Sequence, residues 1–387
     1  MPNVYFITTF IDEKIGRDYL YSENPEIKRN LRISTRASEI SFNEMYLNYT
    51  AKKFRLRLGN QKFAWGTGDV INPTSYFNPN DVRELVFKEE DEISQGIPAA
   101  SGMFYFDNYV LELVFAPIHI PMAIPENGNF WFPGMSGLPV RVLVLERDGL
   151  EPDGKNFAYG GRFSGSVSGM DLSVSAYHGP DKEAVFVPSG VVIPPGEMIA
   201  VEVRPEYYII NKIGMDASSN FDKFVVQCEM AYSPDKHGLV KLPGTLDLAS
   251  VSLPLEVRQS HHFSYSTGFN YFIPLNRIFE GHDGDTVFTF EWAQSFFFRS
   301  YMEDPFLNRM VTARIEDTYL DGRLKLKFTI MYEAVEWGRI LWPKIEYDFQ
   351  NGLSLEISYA GISGSEESFF HYYRDHDIFL WKIRYTY

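Results

Sequence analysis

The final twelve residues of the chain, 376–387, alternate strictly between two kinds of side chain and end on an aromatic residue. One row consists of Phe379, Trp381, Ile383, Tyr385 and Tyr387, and the other of Leu380, Lys382, Arg384 and Thr386. A period of two is that of a β-strand, whose successive side chains point to opposite faces. A half-buried strand of a soluble protein has the same period. Such a strand is rarely the last element of the chain, and it rarely carries aromatic residues along one whole face. The pattern therefore predicts the last strand of a membrane β-barrel, with its aromatic face toward lipid.

The same alternation recurs along the chain, clearly in 263–273, 323–334 and 353–359. Each segment has about ten residues, the length that a tilted strand needs to cross a bilayer. Short polar turns join several pairs of segments, at 51–53, 107–108, 169, 321–322 and 351–352, and Asp-Gly and Asn-Gly are typical of tight hairpins. We therefore predict an all-β fold, a transmembrane antiparallel up-and-down β-barrel of about sixteen strands, with about fourteen to eighteen inside the error of such boundaries.

Composition excludes several other classes of protein. A net charge of −15 argues against binding to nucleic acid, which requires a basic surface. The single cysteine, Cys228, excludes an intramolecular disulfide and a cysteine metal site. Aromatic residues make up 16% of the chain, as expected if they form interfacial girdles and a lipid-facing band. No linker or change of periodicity divides the chain, so residues 1–387 are predicted to form a single barrel domain. A secretory leader does not precede Met1, and we expect the numbering to be that of a mature or trimmed chain.

Much longer connections separate the hairpins, at about 64–100, 117–155, 179–200, 233–258, 274–285 and 361–375. Tight turns at one end and long loops at the other are typical of the periplasmic and extracellular ends of outer-membrane barrels. Loops of this length are uncommon in compact domains unless they are functional. We expect at least one of them, 64–100, to fold into the lumen and constrict it.

The loop 64–100 contains the densest local motif of the sequence, Trp65-Gly66-Thr67-Gly68-Asp69, followed by turns at Asn72-Pro73 and Asn78-Pro79. The residues predicted to form the constriction are Trp65, Asp69, Asn72, Asn78, Asp81, Arg83 and Glu84. Two interpretations stay open: a structural loop packed against the inner wall, or direct contact with a solute. A phosphate loop is excluded because no Gly-Lys-Ser/Thr follows. The acidic run Glu89–Glu92 indicates either a solvated loop face or a divalent cation site.

From about Arg55 to Glu84 the chain resembles a widespread, poorly characterised family of Gram-negative outer-membrane proteins that carry a Trp-Gly-x-Gly-(Asp) element and two Asn-Pro turns. That family is grouped with alginate-export, fatty-acid and other porin-type barrels. The resemblance implies an outer-membrane location and passage of solutes. It implies no substrate-binding residue.

Basic side chains on the polar rows of the strands are the predicted lining of the pore: Arg32, Arg36, Arg55, Arg57, Lys325, Lys327, Lys382 and Arg384. Closure of a barrel would bring the last strand beside the first, so the cations of 32–57 and 382–384 are expected on one sector of the wall. They form either a stabilising network with Glu44 and loop acids or a transverse field opposite an acidic loop. Because exposed loop charges are screened over about 8 Å, the wall should dominate, and a weak preference for anions is expected.

Catalysis is not expected. His262 and Ser264 share a face of one predicted strand, but no orienting third group accompanies them. The predicted function is passive or facilitated passage of small solutes through an outer-membrane porin or channel, without cofactor, metal or catalytic residue. A non-conducting adhesin or scaffold that binds through its loops is the alternative, and an integral-membrane hydrolase is a third class. The expected partners are outer-membrane lipids, small-molecule solutes and the barrel-assembly machinery, the last through the strand that ends at Tyr387.

Overall fold

A computed structural model describes residues 3–7, 26–28, 32–34, 39–68, 71–84, 93–125, 140–145, 149–192, 199–240, 253–275, 284–302, 309–366, 368–374 and 376–385. For the strand residues before 43, and for 140 and 141, it describes the backbone alone.

The strands follow the chain in a regular order. They are β1 (Asn3–Ile7), β2 (Glu26–Lys28), β3 (Arg32–Ser34), β4 (Glu39–Ala51), β5 (Phe54–Gln61), β6 (Ile97–Phe106), β7 (Tyr109–Ala116), β8 (Val140–Val144), β9 (Ala158–Val167), β10 (Met170–Pro180), β11 (Val185–Val192), β12 (Ile199–Glu206), β13 (Ile209–Phe221), β14 (Phe224–Leu239), β15 (Val257–Ile273), β16 (Thr286–Phe297), β17 (Met310–Tyr319), β18 (Leu324–Glu333), β19 (Gly338–Asp348), β20 (Leu353–Ser363) and β21 (Ile378–Tyr385). A 3₁₀ helix spans Phe369–Tyr373, between β20 and β21.

Eighteen of these strands form one sheet. From β4 to β21 each strand of this sheet pairs antiparallel with the next, while β1 and β3 both pair with the first half of β4. The strands β8, β11 and β12 form a separate three-stranded sheet, in which β12 runs parallel to β8 and antiparallel to β11. The all-β antiparallel up-and-down arrangement is thus confirmed.

The number of strands differs from the sixteen predicted. The eighteen strands of the large sheet include β2, whose three residues are too short to show an alternating pattern. The strand β3 lies in the run around Arg32 that was predicted to be a strand. No pairing between β21 and the strands β1–β4 occurs in the described residues. Closure of the sheet into a barrel therefore stays a prediction.

The predicted tight turns are present, and their backbone angles explain the residues found there. Asp107, Asp321 and the glycines 169, 322 and 352 have positive φ, which the tightest hairpin turns require. These turns join β6 to β7, β9 to β10, β17 to β18 and β19 to β20. All of them lie at one end of the sheet, which we call the turn end; the other is the loop end.

The predicted alternation of short turns and long loops fails in two places. The twelve-residue interval between β15 and β16 lies at the turn end, because Ile273 pairs with Thr286 there. The connection between β18 and β19 lies at the loop end and is short, because Glu333 pairs with Gly338. Hydrophobic alternation determines where strands run but places no limit on the length of an exposed connection.

The two faces of the large sheet have opposite character, as the alternation predicted. On β21 the side chains of Phe379, Trp381, Ile383 and Tyr385 are each more than half exposed. The opposite, inner face carries small polar side chains that are nearly fully buried, such as Ser266, Thr289 and Ser358. No helix in the described part of the chain is long and apolar enough to cross a membrane.

Candidate functional site inside the sheet

Residues 62–68 and 71–84, which follow β5, lie against the inner face of the sheet, and we call them the inner segment. Its aromatic side chains Trp65, Tyr76 and Phe77 are buried and pack edge-on or tilted on one another and on Tyr177 of β10. The wall beneath them is made mostly of small or aliphatic residues: Ala99, Val114, Ala116, Ala158, Ile210 and Ala231. The inner segment thus packs on an apolar surface formed by the inner face of β6, β7, β9, β10, β13 and β14.

Two wall glycines make room for the aromatic side chains. A Cβ atom at Gly160 of β9 would lie 3.0 Å from Cζ of Phe77. A Cβ atom at Gly214 of β13 would collide with the hydroxyl of Tyr76 and lie 3.0 Å from Cγ2 of Thr74. These positions therefore require glycine for close approach of another part of the chain rather than for a turn. The Tyr76 hydroxyl lies 3.1 Å from Oγ of Ser175, and burial raises the pKa of this phenol.

Asn78 joins the beginning of the loop 62–96 to its end. Its Oδ1 accepts a hydrogen bond from the backbone amide of Phe63 at 2.7 Å. Its Nδ2 donates to the carbonyl oxygens of Gln61 at 3.0 Å and Gln95 at 2.7 Å. Since the side chain is 1% exposed, these three bonds fix the base of the loop where it leaves β5 and returns to β6.

The Gly-x-Gly element of the motif surrounds a carboxylate of the wall. The backbone amides of Thr67 and Gly68 both donate to Oε1 of Glu229 on β14, and the hydroxyl of Thr74 donates to its Oε2 at 3.0 Å. Successive amides that converge on one acceptor form an anion-binding nest. Gly66 has φ +103°, and a Cβ atom there would lie 2.6 Å from Oε1 of Glu229. The glycines thus let the backbone close around the Glu229 carboxylate.

The inner segment spans much of the interior. Near one end the indole nitrogen of Trp65 donates to Oε2 of Glu112 on β7 at 2.8 Å. Farther along, the amide of Ile71 donates to Oε1 of Glu291 on β16 at 2.7 Å, and the Ile71 side chain packs against the apolar cluster that β17–β20 form with Phe370 and Tyr373. The segment therefore contacts strands that are far apart in the order of the sheet, from β7 to β16.

The predicted constriction residues have distinct environments. Trp65, Asn78, Asp81 and Arg83 are buried, whereas Asn72 and Glu84 are partly exposed. Arg83 donates to both carboxylate oxygens of Asp81, with Nε–Oδ1 at 2.9 Å and Nη2–Oδ2 at 2.6 Å. Asp69 and the acidic run 89–92 lie outside the described residues. The buried members therefore hold the loop together.

A second segment, 364–374, covers another part of the inner face. Ser368 caps the N-terminus of its 3₁₀ helix. The Ser368 hydroxyl donates to Oε2 of Glu333 on β18 at 2.7 Å and accepts from the amide of Phe370 at 3.0 Å. Phe370 and Tyr373 pack on an apolar patch of the wall formed by Met310, Met331, Ile340, Trp342, Ala360 and Ile362. Ile71 packs on the same cluster, so the two inner segments meet there.

Beyond this apolar patch, toward the turn end, the inner face of β17–β21 is charged and encloses a cavity of about 240 Å³. Its lining consists of the cations Lys325, Lys327, Lys344 and Arg384 and the carboxylates Glu316, Glu346 and Glu356. Lys344 lies 3.4 Å from Oε1 of Glu356 and 4.4 Å above the indole ring of Trp342. Lys325 lies 4.0 Å from Oε2 of Glu346. Cations and carboxylates are thus interleaved on one wall.

The structure separates the predicted pore-lining residues into two groups. Lys325, Lys327 and Arg384 line the charged cavity, and Lys382 stands opposite Glu356 in the register of β20 and β21. Arg55 donates through Nε to Oδ1 of Asn48 at 2.9 Å, and the Arg57 guanidinium lies 4.6 Å above the ring of Tyr46. Only the backbone of Arg32 is described, and Arg36 lies outside the described residues. A single sector of six cations is not observed in the described structure, since β21 pairs only with β20 there.

Sequence reasoning missed the carboxylates that hold the inner segments, namely Glu229, Glu291 and Glu333, and it missed Lys344. The available signal was a charged residue in a row that otherwise faces inward with Ser, Thr, Gln or Ala, as in Gln227-Cys228-Glu229. Such a row predicts a buried carboxylate that needs donors. It does not indicate which segment supplies them.

His262 of β15 is buried edge-on against Phe297. Among the described residues, no group of three or more His, Cys, Asp and Glu side chains is arranged to hold a metal ion.

Comparisons with known proteins give low similarity. No family model matches the chain, and no curated protein matches it. Among solved structures, OmpT, an outer membrane protein of Vibrio cholerae folded in vitro, is 9% identical with a TM-score of 0.36 over 90% of this chain and 76% of that one. A mutant porin of Rh. blastica is 11% identical with a TM-score of 0.33 over 80% of this chain and 84% of that one. The family resemblance of the Trp65–Asp69 motif therefore stays a prediction.

Proposed function

We propose that the large sheet closes into an outer-membrane β-barrel and that the chain is a porin-type channel for small polar solutes. The observation that carries this proposal is the opposite character of the two faces. Large apolar side chains such as Leu47, Phe163 and Phe328 are well exposed on the outside, while the inside carries buried polar and charged side chains and two separate apolar patches that hold folded segments. An apolar outer band of this extent needs lipid or a partner to cover it.

The interior supports passage of polar rather than apolar molecules. The charged cavity at the turn end is lined by Lys, Arg and Glu side chains, and its hydrated walls suit small hydrophilic solutes. The inner segment would narrow the lumen at the level of Glu229 and Glu291. In this proposal the protein changes no covalent bond, and selection depends on size and charge alone.

Planar bilayer recording of the refolded full-length protein tests the proposal. We expect stepwise conductance increments in KCl from protein whose folding has been verified by heat-modifiable migration. Folded protein that inserts without conductance would instead support the alternative, a non-conducting surface barrel that binds a partner through its long connections. Labelling with a fluorophosphonate serine probe should leave the chain unmodified, since catalysis at His262 is not part of the proposal.

The location and the remaining partners belong to the same proposal. Outer-membrane lipids would cover the apolar face, and the assembly machinery would recognise the terminal strand β21 with the residues that follow it to Tyr387. Deletion of the terminal Thr386-Tyr387 pair should lower the amount of folded protein in the outer membrane. Unchanged assembly would place the recognition elsewhere in the chain.

A further inference from the structure

The inner face of β17–β21 changes from apolar to charged along every strand. On β19 the inward residues run from Ile340 and Trp342, near the loop end, to Lys344 and Glu346, toward the turn end. The apolar part is covered by the segment 364–374 and by Ile71. The charged part has no such cover in the described residues and borders the cavity of about 240 Å³. A solute can therefore reach the charged part from the turn end.

A second cavity, of about 280 Å³, lies on the turn-end side of the first and is lined by residues such as Asp348, Gln350 and Ser354. Arg384 and Glu346 line both cavities. The two cavities therefore share a border, and a solute that enters from the turn end meets Arg384 before it meets Lys344. The order of these residues along the wall makes Arg384 the first cation of the inner cavity.

The cations of the inner cavity differ in how firmly they are held. Lys344 is almost fully buried between Trp342 and Glu356. Its ammonium is therefore held by these two wall residues. Lys325 has a side chain that is 46% exposed, and its contact with Glu346 is long, at 4.0 Å. Exposed pairs of this kind contribute little to stability. Lys325 can therefore turn toward a solute at small cost.

Charge and volume together favour an anionic ligand of a few carbon atoms. The lining has one more cation than carboxylates, four against three. A cavity of about 240 Å³ holds about eight water molecules at about 30 Å³ each. A guanidinium and an ammonium bind carboxylates, as they bind phosphates, through short, charge-assisted hydrogen bonds.

We propose that this cavity binds short-chain organic carboxylates, with Arg384 and Lys325 as the groups that receive the carboxylate. The proposal deepens the channel function proposed above and rests on it for its role in transport. In it, Lys344 fixes the positive character of the wall, while Glu346 releases Lys325 when the solute arrives. Uncharged molecules of the same shape gain nothing from these groups and are not retained.

Calorimetric titration of the full-length protein in detergent measures this binding without any requirement for conductance. Propionate is the probe, and propionamide is its neutral counterpart of the same shape. We expect propionate to bind and propionamide not to bind, and we expect Arg384→Gln or Lys325→Gln to raise the Kd for propionate about tenfold. Lys52→Gln, which removes an exposed cation from the β4–β5 turn, should leave the Kd unchanged. Equal affinity for both probes, or a Kd insensitive to both cavity variants, would overturn the proposal.

Bilayer recordings of the same preparations separate this inference from the channel proposal. Protein that conducts KCl but does not bind propionate contradicts the carboxylate site and leaves the channel intact. Protein that binds propionate through Arg384 but never conducts contradicts the channel and supports the site. If both are correct, propionate should reduce KCl current in the native chain more than in Arg384→Gln, because a bound solute occupies the path.

Discussion

The inner face of β6–β14 and that of β17–β21 both belong to strands with alternating side chains. The first is covered by a folded segment, whereas the second leaves part of its surface open as a cavity. The first is lined by alanine, glycine and short aliphatic residues and receives Trp65, Tyr76 and Phe77 of the inner segment. The second carries an apolar patch near the loop end and long charged side chains toward the turn end, and the charged part stays open as a cavity. Apolar inward side chains, small on one wall and large on the other, are therefore covered by a folded segment, whereas long charged side chains border a cavity.

The two regions also have one structural feature in common. In each, a wall glutamate accepts hydrogen bonds from an inner segment: Glu229 from the Thr67 and Gly68 amides, and Glu333 from the Ser368 hydroxyl. A buried carboxylate is costly unless donors satisfy it. Each glutamate therefore favours the one position of its segment in which those donors are present.

Removal of residues 69–92 is expected to have the largest effect, since it takes away most of the inner segment. The barrel should still fold, because β5 and β6 keep their pairing, and single-channel conductance should rise severalfold. Bilayer recording of heat-modifiable protein provides the measurement. Removal of residues 276–283, from the connection between β15 and β16 at the turn end, is the matched control and should change conductance much less. Unchanged conductance after the first deletion would mean that the inner segment does not limit the path.

Charge on the outer face should be the next most damaging change. Phe328→Arg on β18 is expected to destabilise the folded state by about 2–4 kcal/mol if the residue lies near the bilayer midplane. Lys325→Gln, on the inner face of the same strand, should have only a mild effect on stability. Reversible unfolding by denaturant in lipid vesicles compares the two variants. If Lys325→Gln were the more destabilising variant, the assignment of the outer and inner faces would be wrong, and with it the comparison of the two inner walls.

Loss of the Glu229 carboxylate should loosen the inner segment without removing it. In Glu229→Gln one acceptor oxygen is replaced by an NH₂ group that cannot accept from the Thr74 hydroxyl or from the motif amides, at a cost of about 1.5–3 kcal/mol. More frequent transitions to a higher conductance level are expected in single-channel records. Glu256→Gln, an exposed carboxylate paired with Arg258, serves as the control. Records that match the wild type would show that Glu229 does not control the segment.

Neutralising the two arginines that follow the β4–β5 turn should have the smallest effect of these changes, a small shift in ion selectivity. In Arg55→Gln/Arg57→Gln the inner wall of β5 loses two positive charges, and screening over about 8 Å confines the change to the nearby lumen. We expect a weak anion preference that decreases slightly in this double variant. Reversal potentials in a KCl gradient measure it. Clear cation selectivity in both proteins would mean that the basic wall does not border the conduction path.

Local pattern was sufficient for the strands and most of their turns. The alternation around Phe328 and Trp381 assigned the correct faces, and Asp321-Gly322 and Asn351-Gly352 marked the correct hairpins, because period and turn chemistry act over a few residues. It gave no signal for the strand β2, whose three residues are too short to show a period. It also placed the connection after β15 at the wrong end, since the sequence of an exposed loop carries no information about the direction of its flanking strands.

The sequence by itself determined the outer face, the inner face and the presence of an unusual glycine motif after β5. Only the tertiary structure decided what that motif does. Glu229 lies 161 residues from Gly68 along the chain, and Glu291 lies 220 residues from Ile71. A period of two in the sequence predicts which side chains point inward. It does not predict which residues those side chains contact across the interior. That partner is selected by the curvature of the whole sheet and by the glycines and alanines that leave room for the segment.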